Sequence, residues 1–186
     1  MSARQPALPR LWLVTDARND ARLERAIARL PRGSGVIFRH YHLAPGERAT
    51  RLEHVRRLCR RFGHRIEIAG EGYGPPAPHR TLAAAHDLRE IGQANRCGAQ
   101  AVLISPVFPT RSHPGAPTLG RARLLLLARR ARVPVIALGG MTRRRFAGLG
   151  FASPRIYGWA AIDGLTASPR KSPNPRFTLA TPDGRC

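Results

Sequence analysis

Four polar residues in a row, Thr110, Arg111, Ser112 and His113, stand in a loop punctuated by Pro106, Pro109, Pro114 and Pro117. Each proline fixes φ, so the loop is stiff and presents these side chains at defined positions. The loop follows an apolar run, residues 101–104, and the loops after buried strands are where α/β folds keep their chemistry. A second candidate is Gly139-Gly140, also just past an apolar run. Two glycines remove side chains, so backbone N–H groups can approach an anion, and Thr142 opens a helix whose N-terminus adds positive potential. The same pair would also serve a tight strand-to-helix turn. His40 and His42 alternate by two and project to one side of an extended chain, which makes a metal pair conceivable, but spacing places no third ligand. His86, at a strand end, reads as a structural histidine or a helix lead-in.

The elements that position these residues alternate between strand and helix. Apolar runs predict strands at residues 11–15, 36–38, 65–69, 81–85, 101–104, 134–138 and 155–161. Helices are expected at 19–30, capped by Asn19 or Asp20, at 45–62, 87–97 and 119–131, and from Thr142 to about residue 149. Seven strands alternating with helices imply a parallel sheet with right-handed crossovers. Residues 70–78 (GEGYGPPAP) break the rhythm, because three glycines and three prolines exclude a regular helix. Residues 1–9 read as a disordered lead-in, 10–166 as one domain, and 167–186 as a disordered basic tail.

Composition narrows the function classes. The chain has 186 residues and a formal net charge of +21. Of its 32 basic residues all but Lys171 are arginine, a ratio that reads as genome composition rather than as thirty selected contacts. The charge still steers anions, phosphate-bearing substrates and polyanions alike. Nucleic-acid binding is therefore an alternative, weakened by arginines spread along the chain and by only 6% aromatic residues for base stacking. No apolar run is long enough for a membrane span, and no secretory signal is evident. Cys59, Cys97 and Cys186 are scattered, which suits a reducing cytoplasm and gives no disulfide framework or zinc spacing.

SPVFPTRSHPG (residues 105–115) followed by VPVIALGGM (133–141) resembles the thiamine phosphate synthase and thiazole tautomerase family. LWLVTD (11–16) and AAAHDLREIGQANRCGAQAVL (83–103) extend the resemblance, which covers about residues 10–166. It implies an eight-stranded (β/α) TIM-type barrel, here missing or reduced by one βα unit between residues 70 and 80. It also implies thiamine biosynthesis: a transferase joins hydroxymethylpyrimidine diphosphate to thiazole phosphate and releases pyrophosphate, with magnesium as cofactor. By the match, Thr110, Arg111 and Ser112 contact the thiazole phosphate, Gly139 or Gly140 holds it, and Gly158-Trp159-Ala160 is the partner phosphate loop. His113 stands in place of a diphosphate-binding lysine. With Arg39 at the end of the second strand, it is the catalytic candidate. Arg39, Arg111 and His113 would form a substitute diphosphate clamp, since guanidinium groups bind phosphate bidentately.

The departures from the family lie on the magnesium side. The family's third strand ends in Asn-Asp, and this one ends in Ala69-Gly70. The second magnesium aspartate falls in the shortened segment, so the metal ligands are unknown. Glu67, Glu71 and Asp16 are the nearest carboxylates, and Glu71 is the best placed. Asp163 aligns near a phosphate-loop serine, and Pro106 stands where the tautomerase branch has a catalytic histidine. The expectations are thus a cytoplasmic enzyme, or a non-catalytic relative that binds thiazole phosphate or a similar phosphorylated ligand. Self-association is expected if the shortened barrel leaves strand edges open.

Overall fold

Alternating apolar residues build a barrel with two distinct faces. The computed structural model describes residues 7–112, 114–150 and 155–166. Eight parallel strands are present: β1 Leu11–Val14, β2 Gly35–Phe38, β3 Arg65–Ile68, β4 Tyr73–Gly74, β5 Leu82–Ala85, β6 Ala101–Ile104, β7 Val135–Ala137 and β8 Ile156–Ala161. Their order is β3-β2-β1-β8-β7-β6-β5-β4. A single parallel bridge from Ala69 to Tyr73 joins the two ends and closes the barrel. Five helices are described: α1 Leu23–Arg29, α2 Pro45–Phe62, α3 Leu88–Arg96, α4 Gly120–Ala128 and α5 Arg143–Gly150. None of them is long and apolar enough to cross a membrane.

The barrel is the expected one, but the strand count is corrected from seven to eight. The unit between residues 70 and 80 is reduced rather than lost. It keeps a two-residue strand, and no helix follows β3 or β4. Local bonds hold this abrupt passage. The Gly70 amide donates to the Tyr73 carbonyl at 2.9 Å, and Arg80 donates from one guanidinium nitrogen to the carbonyls of Glu71 (2.8 Å) and Tyr73 (3.1 Å). A Cβ on Gly72 would lie 2.0 Å from a Glu67 carboxylate oxygen, so a side chain there would push that carboxylate aside.

The inner face of the barrel carries Trp12, Val14, Ile37, Leu82, Ala101, Leu103, Ile136 and Ala160. The Trp12 indole lies over Gly35, and its Nε1 donates to the Pro9 carbonyl at 2.8 Å. Pairing of Gly35 with Arg65 and of Ile37 with Glu67 puts two charged side chains on the same inner face. They neutralise each other at 2.8 Å, and Arg65 also donates to Gln100 at 3.0 Å. Strand residues of the opposite parity face outward and pack against the helices in two apolar clusters. The first helical segment starts earlier than expected. Asp16, not Asn19 or Asp20, caps a 3-10 turn over Ala17–Arg22, and Asn19 bonds back to the Asp16 amide at 3.0 Å.

His64, one residue past the left-handed Gly63 that ends α2, carries a pH-dependent contribution to stability. Its Nε2 donates to the Ile27 carbonyl at 3.0 Å, and its Nδ1 has no partner. Burial holds its pKa below the ordinary 6.5; the nearby Arg32 charge adds to this and the Ile27 bond opposes it. The unfolded chain therefore takes up a proton that the folded chain refuses. This contribution is fully present above pH 6.5 and shrinks as pH falls from 6.5 toward the depressed folded value. His64→Gln keeps an N–H for the Ile27 carbonyl and does not titrate. Its urea midpoint is expected to fall less than that of the wild type across this window.

Candidate ligand site at the barrel mouth

The loops after the C-terminal ends of β6, β7, β8, β1 and β2 converge at one end of the barrel. The loop after β6 is tied to the glycine turn after β7 by backbone bonds: the Val107 amide to the Leu138 carbonyl at 2.9 Å, and the Phe108 amide to the Gly139 carbonyl at 3.1 Å. Gly139 and Gly140 both have positive φ, +95° and +60°. A Cβ on Gly139 would lie 2.7 Å from Pro106 Cα, and one on Gly140 would lie 2.5 Å from the Pro109 carbonyl oxygen. Glycine is thus required both by conformation and by contact with the proline loop. The amides of Gly139 and Gly140 have no partner among the described residues. Thr142 caps α5, its hydroxyl accepting from the Arg145 amide at 3.2 Å.

The side chains of the proline loop meet a network that sequence spacing did not reveal. The Ser112 amide donates to the Thr110 hydroxyl at 3.3 Å, which draws the two hydroxyls together. Arg18, on the 3-10 turn after β1, donates to the Ser112 hydroxyl at 2.7 Å. The same guanidinium pairs with Asp16 at 2.9 Å and with Asp163 at 3.5 Å. Burial alone would raise the pKa of Asp16; the Arg18 bonds outweigh it and hold the carboxyl below its usual range. Arg145 donates to the Gly140 carbonyl and lies 4.7 Å from the centre of the Phe108 ring. Arg145 therefore brings positive charge to the glycine turn, whereas Arg18 reaches the proline loop with its charge offset by Asp16 and Asp163. Arg18 reaches Ser112 from a distant βα unit, and Arg145 folds back from α5 onto the turn five residues before it, so neither stands in a recognisable spacing.

Of the sequence-predicted residues, Gly139 and Gly140 pack against the start of the proline loop at Pro106–Pro109, Thr110 and Ser112 follow on that loop, and Arg111 is exposed on it. His113 lies outside the described residues. Gly158, Trp159 and Ala160 are not a mouth loop. They lie within β8, where Trp159 pairs with Leu11 and Ala160 with Trp12. Trp159 is buried against Phe146 on the outside of the sheet. The segment that reaches the mouth after β8 is one step further on, at Ile162–Thr166, where Asp163 meets Arg18. Arg39 is where it was expected, just past β2. Its amide donates to the Thr15 hydroxyl at 2.9 Å, its guanidinium lies 5.9 Å from the Tyr41 ring centre, and its charge acts on Asp16 and Tyr73. His86 is exposed, and its Nδ1 is 2.7 Å from the Ser105 carbonyl, so it stands beside the proline loop.

Residues 82–164 match a protein-family profile described as thiamine monophosphate synthase. A protein of Aquifex aeolicus provisionally named thiamine-phosphate synthase 2 is 28% identical over 161 residues, covering 73% of this chain and 87% of its own. The thiamine-phosphate synthase of Chloroflexus aurantiacus is 28% identical over 162 residues, covering 72% of this chain and 75% of its own. Over these residues the chain is similar to the thiamine phosphate synthase family. In fold it is similar to the thiamine phosphate pyrophosphorylase of Pyrococcus furiosus, with a TM-score of 0.68 at 20% identity over 85% of this chain and 88% of that one.

Measured against the thiamine phosphate synthase pattern, the donor set at the mouth does not suit magnesium, which takes hard oxygen ligands and usually one or two carboxylates. Asp16 and Asp163 are committed to Arg18, and Glu67 is turned into the barrel against Arg65. Asp20 pairs with His40 and Arg51, and Glu90 accepts from the His86 amide at 2.6 Å. Glu71 sits in the β3–β4 turn, where the backbone carbonyl is held by Arg80 and the carboxylate has no partner among the described residues. A single exposed carboxylate is not a magnesium cage.

Proposed function

We propose that this chain binds a phosphorylated small molecule of the thiazole phosphate class through the Gly139-Gly140 turn and the Thr110–Ser112 loop. The observation that carries the reading is the pair of glycine amides with no partner among the described residues, fastened to a loop that offers two hydroxyls, with Arg145 held on the Gly140 carbonyl and Arg18 on the Ser112 hydroxyl. Backbone amides and guanidinium groups converging on one turn stabilise a phosphate dianion, and the N-terminus of α5 adds to the same field. On this reading it would be the half of a thiamine phosphate synthase site that holds the nucleophilic partner. The bound thiazole would be fixed by its phosphate, with its ring free to lie over the mouth.

Condensation with hydroxymethylpyrimidine diphosphate, yielding thiamine phosphate and pyrophosphate, is the second reading. It is favoured by Arg39, whose guanidinium makes no ion pair among the described residues and stands where a leaving diphosphate would need charge. In that reaction the pyrimidine-methylene C–O bond breaks with its electron pair going to pyrophosphate, and the thiazole nitrogen forms the new C–N bond. Positioning and charge stabilisation would supply the catalysis. The carboxylate census above weighs against it.

A coupled assay for thiamine phosphate and pyrophosphate, run with and without magnesium alongside Arg39→Ala, separates the two. The binding reading expects no turnover in any sample, together with thermal stabilisation by thiazole phosphate alone. Magnesium-dependent turnover that Arg39→Ala abolishes would establish the enzyme instead. A shift of random DNA or RNA that weakens with salt and ignores Arg111→Ala would favour a polyanion-binding role.

A further inference from the structure

The residues His40 and His42 belong to no part of the phosphate site, yet the fold gives them the third partner that spacing did not. The chain past β2 does not stay extended. It turns over residues 40–43, with the Leu43 amide 3.4 Å from the His40 carbonyl, and so lays the His42 ring against His40 at 5.2 Å. Asp20, on the 3-10 turn after β1, lies 2.8 Å from His40 Nε2. One ligand atom from each of Asp20, His40 and His42 falls within 4.8 Å of the other two.

We propose that Asp20, His40 and His42 form a site for a first-row divalent transition ion of the zinc or cobalt class, on the rim of the barrel mouth. Imidazole nitrogens with one carboxylate suit such ions and not magnesium. Around a tetrahedral ion with bonds of about 2.0 Å, ligand atoms lie about 3.3 Å apart. The cluster therefore needs to contract by roughly an ångström or so, and its members are mounted to allow that. His40 is fully buried, stacked on Phe38 at 4.6 Å, and held at Nδ1 by the Thr15 hydroxyl at 2.7 Å. It is the fixed ligand, and Thr15 is the outer partner that sets its ring. His42 is exposed, with no hydrogen bond among the described residues, so it is free to swing in.

The surrounding charges accommodate the ion. Asp20 Oδ1 accepts from His40 Nε2 and from Arg51 at 2.9 and 2.7 Å, whereas Oδ2 accepts nothing among the described residues. Arg51 also pairs with Glu24, which keeps its charge balanced if Asp20 turns toward a metal. Ion entry moves the His40 proton from Nε2 to Nδ1, where it is donated to the Thr15 hydroxyl, and leaves the Nε2 lone pair on the ion. No net proton is lost. Because Arg39 and Tyr41 share this turn, the ion would also stiffen the segment that carries Arg39 into the mouth.

The test is titration of the chelator-treated full chain with cobalt(II) chloride, read by visible d–d absorption, and with zinc chloride, read by calorimetry. The same titrations are run on His42→Ala, Asp20→Asn and, as a remote control, His79→Asn. The expected result is one ion per chain with cobalt bands in the wild type and His79→Asn. Affinity should fall tenfold or more in both His42→Ala and Asp20→Asn, with far-UV circular dichroism unchanged. No cobalt bands and no zinc heat in the wild type, or affinity that survives in either cluster variant, would overturn the proposal. These outcomes are independent of phosphate binding and of turnover.

Discussion

Alanine at Gly158 is expected to destabilise the fold and leave the ligand site untouched. The added Cβ would lie 2.1 Å from the Arg10 carbonyl oxygen and 2.8 Å from Arg10 Cα, which are backbone atoms of the chain leading into β1. Rotating a side chain cannot relieve such a contact. That same carbonyl accepts from the Trp159 amide at 2.8 Å, so the added methyl wedges apart the β1–β8 ladder at its start. Overpacking of this kind costs about 3 kcal/mol. For a chain of this size that lowers the melting temperature by roughly 6–12 °C. Had Gly158 belonged to a phosphate loop, the variant would melt normally and lose ligand affinity. Differential scanning calorimetry beside a ligand titration decides between them, and normal melting with lost affinity would restore the loop assignment.

The second large effect is expected at Gly140→Ala, and it falls on the ligand. With φ at +60°, any residue but glycine is strained there, by about 1 kcal/mol or more. The new Cβ also meets the Pro109 carbonyl oxygen at 2.5 Å and crowds Phe108 Cβ at 3.0 Å. The proline loop must then lift from the glycine turn. That separates the Thr110 and Ser112 hydroxyls from the Gly139 and Gly140 amides and shifts the carbonyl that Arg145 holds. Calorimetric affinity for thiazole phosphate is expected to drop at least tenfold, with the far-UV spectrum retained. Undiminished affinity in this variant would remove the glycine turn from the site and with it the proposed function.

The alternation of strand and helix was legible because its signal is local, and the resemblance to a known family implied its closure into a barrel. Short apolar runs such as AVLI at β6 and VIA at β7, bounded by Pro and Gly, read as buried strands, and the arginine-faced helix Pro45–Phe62 is marked by a proline at its start and Gly63 past its end. The glycine turn and the proline loop were legible for the same reason, since each is a short stretch of constrained backbone. β4 was not, because two residues carry no periodicity. Tyr73–Gly74 is a strand only through Leu82 and Ala83 on one side and the Ala69 bridge on the other.

Side-chain partnerships were the other blind spot. Glu67 looked like a candidate metal ligand until the β2–β3 register aimed it at Arg65 inside the barrel. Arg18 and Arg145 were two among many arginines until folding set them against Ser112 and the Gly140 carbonyl. The amino-acid sequence by itself determined the alternation of strand and helix and the glycine turn, because these rest on backbone propensity and apolar pattern within a few residues, whereas closure of the barrel waited on the Ala69–Tyr73 bridge. Only the tertiary structure decided that Gly158 is wall and not loop, that Asp163 is neutralised by Arg18, and that Asp20 joins His40 and His42. Those outcomes depend on strand register and on contacts between βα units distant in the chain, which no local spacing encodes.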